Sequence, residues 1–341
     1  MATSIEDVAR AAGVSTATVS RALRGLPSVT QSTRDAVQEI ATRLGYVPSR
    51  SASALASGRT RTVGLVAPAI SRWFFATAFE GAEHTLRAAG FDALLYSLPD
   101  ITVPRKEFDP DVLRGRVDAV LVASMSFGVE EVGRVRSLGL PAVFVSVHQP
   151  GFAFVGIDDT AAAVRATEHL LGLGHRVIGH IGGRRHDMEF SPTTRRRQGW
   201  KQTMSAAGLA IEGLDVEGDF TAVGGWHCAR ELLERRPDLT AIFAASDEMA
   251  MGAFRAVQER GLTVGSDVSI IGMDGHNLGD VMGLTTIAQP AYDQGARAAS
   301  LLLEALEDPT LDTSALDVVF DTQLIRREST AECVVGRATS G

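Results

Sequence analysis

Between Ile5 and Gly25 the chain reads IEDVARAAGVSTATVSRALRG, and its chemistry-bearing side chains suit a surface that meets base edges. Thr16, Ala17 and Ser20 are short and stand beside Arg21. In a major groove an arginine reaches the acceptors of guanine, while threonine or alanine touches a thymine methyl. Two short helices and a tight turn must position these groups. Ser4 can cap the first helix with Asp7 three residues on, and Ala9 keeps that helix slim where the second crosses it. Gly13 tolerates positive φ in the turn, Val14 and Val19 set the angle, and Ser15 can cap the second helix. The alternative is a plain helical hairpin that packs and binds nothing.

Catalytic constellations are missing. Lys106 and Lys201 are the only lysines and neither follows glycine, so no GxxxxGK phosphate loop exists; GxGxxG, HExxH and GxSxG are absent too. The eight histidines, among them His175, His180, His186 and His227, show no metal-ligand spacing. Cys228 and Cys333 form neither a CxxC pair nor a disulfide framework. The chain is expected to be no enzyme and to carry no metal and no cofactor.

The net charge of −8 is unevenly spread. Residues 1–61 hold eight arginines against four acidic residues, a balance of +4, which leaves −12 on the remainder. A cationic module on an anionic body is expected when only the small module meets a polyanion. A third helix fits residues from Thr30, with Ala36, Val37, Ile40, Ala41 and Leu44 as its apolar stripe and Gly45 as its end. Three helices in about forty-five residues make a small core. The segment 46–61, YVPSRSASALASGRTR, reads as a linker that could form a helical turn or two if supported.

From Thr62 the pattern changes. Short apolar runs at Val63–Ala67, Ala93–Tyr96, Ala119–Ala123, Ala142–Val147, Phe152–Ile157, Val177–Ile181, Ala241–Ala245 and Val268–Met273 are separated by stretches of helical length. Runs that short and uncharged read as buried parallel strands, and their alternation with helices indicates doubly wound α/β architecture. Two strand runs joined by HQPG interrupt the alternation and mark a crossing between two lobes. The uncharged stretch Ser137–Ile157 is long enough to span a bilayer, but Pro141, His148, Gln149, Pro150 and Gly151 make it two strands and a turn. MATSIEDVARAAG lacks a basic start followed by an apolar run, so a cytoplasmic location with no membrane partner is expected.

Several pieces, in one order and spacing, resemble the LacI/GalR family of transcriptional repressors: the opening motif, SVTQSTRDAVQEIATRLGYVPSRSASALASG, TVGLVAP, ATEHLLGLGHRVIGHIGG, AIFAASDEMAMGAFRAVQERGL and VSIIGMDG. The resemblance covers residues 4–330. It implies an all-α helix-turn-helix head on an α/β periplasmic-binding-protein-like core of two doubly wound parallel-sheet lobes. The corresponding divisions are a DNA-binding domain at 1–45, a hinge at 46–61, and an effector-binding and dimerisation domain at 62–330. Lobe 1 would take about 62–157 with 290–316, lobe 2 about 158–289 with 317–330, and 331–341 would be a loose tail.

The resemblance also implies residue roles. Thr16, Ala17 and Arg21 sit where the family reads bases; Ser15, Thr18, Ser20 and Thr33 sit where phosphates are held. Ala52 and Leu55 correspond to a hinge helix whose leucine wedges into the minor groove. Phe74, Phe75, Arg196, Phe220, Ser246, Asp274 and Gln289 fall at effector-binding positions. Aromatic faces against sugar C–H surface, with Arg and Asp on hydroxyls, suit a carbohydrate. Core packing remains the alternative for the three phenylalanines, helix capping for Asp274, and a solvated helix face for Arg195 and Arg197. Two departures stand out: Arg72-Trp73 occupies the place of the family's Asn-Pro, and Ser246 that of its Asn.

The function expected is that of a sequence-specific, homodimeric DNA-binding repressor whose operator affinity is set by a small molecule, a neutral sugar, between the lobes. The alternative is a solute-binding protein without a DNA role.

Overall fold

The computed structural model describes residues 3–46, 58–68, 70–98, 108–125, 127–183 and 191–333. The chain forms two compact units, Met1–Arg61 and Thr62–Gly341. The hinge positions Ala52 and Leu55 lie outside the described residues.

In the first unit, α1 (Ile5–Ala12) starts at a capping box in which the Ser4 hydroxyl accepts from the Asp7 N–H and the Asp7 carboxylate accepts from the Ser4 N–H. It stops at Gly13, whose φ of 66° is left-handed. Helix α2 (Thr16–Leu23) is capped by Ser15 and α3 (Gln31–Arg43) by Thr30. Val8, Ala9, Val19, Ala22, Val29, Val37 and Ala41 are the buried core, with Ile5, Ala12, Val14, Leu23, Ile40 and Tyr46 around them. These include the apolar positions that the 3.6-residue period selects.

The second unit holds two six-stranded sheets. Its strands are β1 (Thr62–Ala67), β2 (Asp92–Ser97), β3 (Ala119–Ala123), β4 (Ala142–Val145), β5 (Ala153–Ile157), β6 (Ile178–Gly182), β7 (Asp215–Glu217), β8 (Ala241–Ala244), β9 (Ser269–Asp274), β10 (Thr285–Ala288), β11 (Asp317–Phe320) and β12 (Gln323–Ile325). The first sheet runs β11-β5-β4-β3-β1-β2 and the second β12-β10-β9-β8-β6-β7. Every pairing is parallel except β10 with β12. All eight expected strands are present. The other four, β7 and β10 to β12, are three or four residues long and carry polar residues such as Asp215, Thr285, Thr286, Asp317 and Gln323, so no apolar run announces them.

Between the strands lie α4 (Trp73–Ala88), α5 (Val129–Ser137), α6 (Asp159–Gly172), α7 (Pro192–Ala206), α8 (Ala222–Arg235), α9 (Asp247–Glu259), α10 (Leu278–Met282) and α11 (Ala291–Glu307). Alternate residues of the first sheet enter separate clusters: Val63, Leu65, Leu121, Val143 and Val155 in one, Val66, Val120, Val122 and Phe144 in the other. Apolar layers thus cover both faces, as parallel strands require. Gly81 on α4 and Gly295 on α11 allow backbone contact between these helices, since a Cβ on either would fall 2.1 Å from the Tyr292 carbonyl oxygen or 1.7 Å from that of Ala78. That contact fixes α4, whose first turn carries Trp73 and Phe74.

The chain passes between lobes after Ile157, after Ala288 and again after Phe320. The last passage differs from the expected division at 316–317. Residues 317–320 pair with β5 in the first sheet, Asp317 beside Phe154, because that strand's edge would otherwise be left open. The second lobe's final piece therefore begins beyond Phe320. Nor are residues 331–333 loose: the Ala331 carbonyl lies 3.1 Å from His175 Nε2, and the Cys333 N–H donates to the Leu173 carbonyl over 2.7 Å.

Candidate nucleic-acid helix and ligand cleft

Helix α2 divides cleanly. Val19 and Ala22 are buried, while Ser15, Thr16, Ala17 and Arg21 are exposed and Thr18 and Ser20 half-buried. Among the described residues the Arg21 side chain makes no hydrogen bond or ion pair, whereas Arg24 folds back onto the Ser20 carbonyl and Arg34 ties down the Leu26 carbonyl. Arg21 is thus available to an outside acceptor. Ser15 Oγ accepts from the Thr18 N–H at 3.1 Å and lies 2.9 Å from Thr18 Oγ1; Thr30 and Thr33 repeat the arrangement at α3. Two helix N-termini thus present hydroxyls and backbone N–H groups, the partial positive charge that suits a phosphate.

In the second lobe the end of β9 is the centre of a buried network. Asp274 Oδ1 accepts from Gln289 Nε2 at 2.7 Å and lies 3.6 Å from Arg196 Nη1. Arg196 also donates to Asp159 over 2.7 Å and to the Ala245 carbonyl over 2.5 Å, and Gln294 donates to Gln289 over 3.0 Å. All of these side chains are buried. Asp274 holds a φ of 136°, a conformation L-residues avoid, and its surroundings enforce it. The neighbouring Asp247 carboxylate accepts the Gly275 N–H at 2.9 Å and the His276 N–H at 2.7 Å, which pins the turn immediately after.

Burial drives the electrostatics. It pushes the Asp274 carboxyl up to about 7, helped by the nearby Asp247 and opposed by Arg196 and Gln289. Asp247 rises to about 6, again through burial. Asp159 is raised by burial against the pull of Arg196. For Arg196 burial acts downward, but the Asp159 and Asp274 carboxylates outweigh it and hold the guanidinium above its ordinary value.

At the other side of the cleft, Arg72 and Trp73 follow β1 at the start of α4 and touch the second lobe directly. Arg72 donates to the carbonyls of Phe220 at 2.7 Å and Asp219 at 3.1 Å; Trp73 N–H donates to Glu248 at 3.2 Å; the Trp73 ring stacks on His276 at 5.3 Å. These partners follow β7, β8 and β9, so the contacts gather at the C-terminal edges of strands, where open α/β sheets bind ligands.

The expected ligand residues are thus only partly brought together. Arg196, Asp274 and Gln289 form one network, and Phe220 joins the cleft through its carbonyl while its ring lies against Gly183. Ser246 is buried and caps α9 through the Met249 N–H. Phe75 is 9% exposed and belongs to the first lobe's apolar cluster, with Phe74 half-buried against it at 5.6 Å. Of the flanking arginines, Arg197 is no solvated face residue but pairs with Asp215, which also meets His180. Asp159, Asp247, Glu248 and His276 carry no expected role. Their signal is an acid or histidine two to four residues after the end of an apolar strand.

Among the described residues no helix is long and apolar enough to cross a membrane. Residues 4–49 match the bacterial regulatory proteins, lacI family, and residues 167–330 match the periplasmic binding protein-like domain. Catabolite control protein A of Priestia megaterium is 34% identical over 325 residues, covering 93% of this chain and 97% of that one. The structure of the transcriptional regulator CelR–cellobiose complex superposes with a TM-score of 0.71 at 31% identity, over 96% of this chain and 99% of that one. The lac repressor dimer bound to operator and the anti-inducer ONPF shares the fold, with a TM-score of 0.83 at 23% identity over 97% and 100% of the two chains. A full-length relative at this identity, together with both matched segments in order, places the chain in the LacI family of bacterial transcriptional regulators.

Proposed function

We propose that this protein is a cytoplasmic, homodimeric repressor whose α2 helices read an operator and whose cleft takes a neutral carbohydrate that controls operator affinity. The observation that carries this reading is the combination, in one chain, of the exposed Thr16, Ala17 and Arg21 face with the buried Arg196–Asp274–Gln289 network at a strand edge. Thr16, Ala17 and Arg21 contact bases, and Ser15, Thr18, Ser20 and Thr33 contact phosphates. Ala52 and Leu55 form the hinge contact in the minor groove. A single head offers too few contacts for specific binding at physiological salt, so two act together.

The cleft favours an uncharged ligand. Arg196 is spent on Asp159, Asp274 and the Ala245 carbonyl, and Arg72 on Glu248 and two carbonyls. With both guanidinium groups already held by carboxylates and carbonyls, neither is left to pair with the phosphate of a phosphorylated sugar. Hydroxyls on a ring suit Asp274 and Gln289, and cellobiose in the CelR structure is a ligand of this type. Phe220, Phe74, Phe75 and Ser246 shape the rest of the site. The relatives lend no support to a solute-binding role without DNA.

A thermal-shift screen of neutral mono- and disaccharides against their phosphates tests the ligand class. A true effector stabilises by RT ln(1 + [L]/Kd), about 2.7 kcal/mol at a hundredfold excess. Stabilisation by sugar phosphates alone would overturn the neutral-ligand reading. Fluorescence anisotropy on promoter-proximal DNA, with and without the hit, tests the coupling.

A further inference from the structure

We infer that Arg72 and Trp73 form a latch between the two lobes, made wholly of protein groups, that sets how readily the cleft opens. Its consequence for effector affinity rests on the reading above; the latch itself does not.

Five contacts converge. Arg72 is the N-cap residue of α4 but makes no side-chain cap bond; the Glu248 carboxylate supplies it from the other lobe, accepting the Trp73 N–H at 3.2 Å. A carboxylate at a helix N-terminus is favoured by the helix dipole. The same carboxylate lies 3.7 Å from the Arg72 guanidinium, and both side chains are largely covered, 18% and 23% exposed. Arg72 Nη1 and Nη2 reach the Phe220 and Asp219 carbonyls. Phe220 holds a φ of 61°, a strained backbone that presents its carbonyl to the guanidinium. Beside this, the Trp73 indole stacks on His276 with the ring planes 28° apart.

Two adjacent first-lobe residues therefore grip loops that follow three strands of the second sheet. Asp247 holds the backbone of His276, and Glu248 is its chain neighbour, so the latch and the Asp274 turn share one anchor. Opening the lobes must break all five contacts together. An effector that binds the closed form gains whatever closure the latch has already provided, because apparent affinity scales with the competent fraction.

The test is the interlobe distance in the full chain without sugar or DNA. Spin labels are attached through Glu130→Cys in the first lobe and Glu212→Cys in the second, with Cys228→Ser and Cys333→Ser, in dimers diluted with unlabelled chain. The parent is expected to give one narrow distance, and Arg72→Ala and Glu248→Gln a shift to longer, broader distances. Should Arg72→Ala fail to fold, His276→Ala carries the same expectation through the lost stack. Unchanged distributions in the folded variants overturn the latch. A shifted distance in a protein that no sugar stabilises leaves the latch standing and removes the carbohydrate effector.

Discussion

Arg196 Nε and Asp159 Oδ1 are 2.7 Å apart, with side chains 5% and 4% exposed. Asp159 is the first residue of the helix that follows the chain's first passage between lobes, and Arg196 also meets Asp274 at the end of β9. The pair therefore joins a crossing segment to the proposed ligand network. Anything that displaces the guanidinium is felt at the crossing.

Breaking one half of this pair strands a buried charge. Arg196→Ala should destabilise the two-lobed unit by roughly 3–5 kcal/mol, whereas Arg196→Met combined with Asp159→Leu and Asp274→Asn, which leaves neither carboxylate without its cation, should recover most of the loss. Urea unfolding followed by the emission of the fully buried Trp200 reads this. A combined variant as unstable as Arg196→Ala alone would contradict the pairing.

Arg21→Ala should weaken operator binding and relax base preference, at about 1–3 kcal/mol of discrimination, while leaving the thermal midpoint in place because the side chain is exposed. Anisotropy titrations on operator and scrambled duplexes separate the two effects. Equal affinity of parent and variant for operator would remove α2 from the reading surface.

The Asp274 carboxyl sits at about 7 in the fold and near 3.9 when unfolded. The native state thus binds this proton more tightly, so the group favours the fold at acid pH and that contribution declines as pH rises from about 4 to 7. Asp274→Asn removes the slope. The thermal midpoint of the parent minus that of the variant should fall across this window, and parallel curves would show that Asp274 titrates normally.

Gly295→Ala should destabilise by at least about 1–3 kcal/mol, since the added methyl would overlap the Ala78 carbonyl at 1.7 Å and force α11 from α4. The same change at Gly172, where nothing lies within 4 Å of an added Cβ, should be mild. Comparable midpoints for the two variants would mean the helix crossing has slack.

Much of the fold was legible in local patterns. Ser4 and Asp7, Gly13, Ser15 and Thr30 announce three helices, and short β-branched runs announce eight strands, because capping and burial act over a few neighbouring residues. β7 and β10 to β12 were hidden: a strand whose neighbours on the sheet supply its partners can be short and polar.

The amino-acid order alone specified the three helices of the head and the alternating body, since these depend on local spacing, and the family resemblance named Arg196, Asp274 and Gln289 among seven candidate ligand residues without saying which of them would meet. That order left open whether Phe75 packs in the core or faces a ligand, and it carried no information on the partner of Arg196 or on the meeting of Arg72 and Trp73 with Asp219, Phe220, Glu248 and His276. Those pairings link residues up to 203 positions apart, and they exist because two sheets place their strand ends face to face across one cleft.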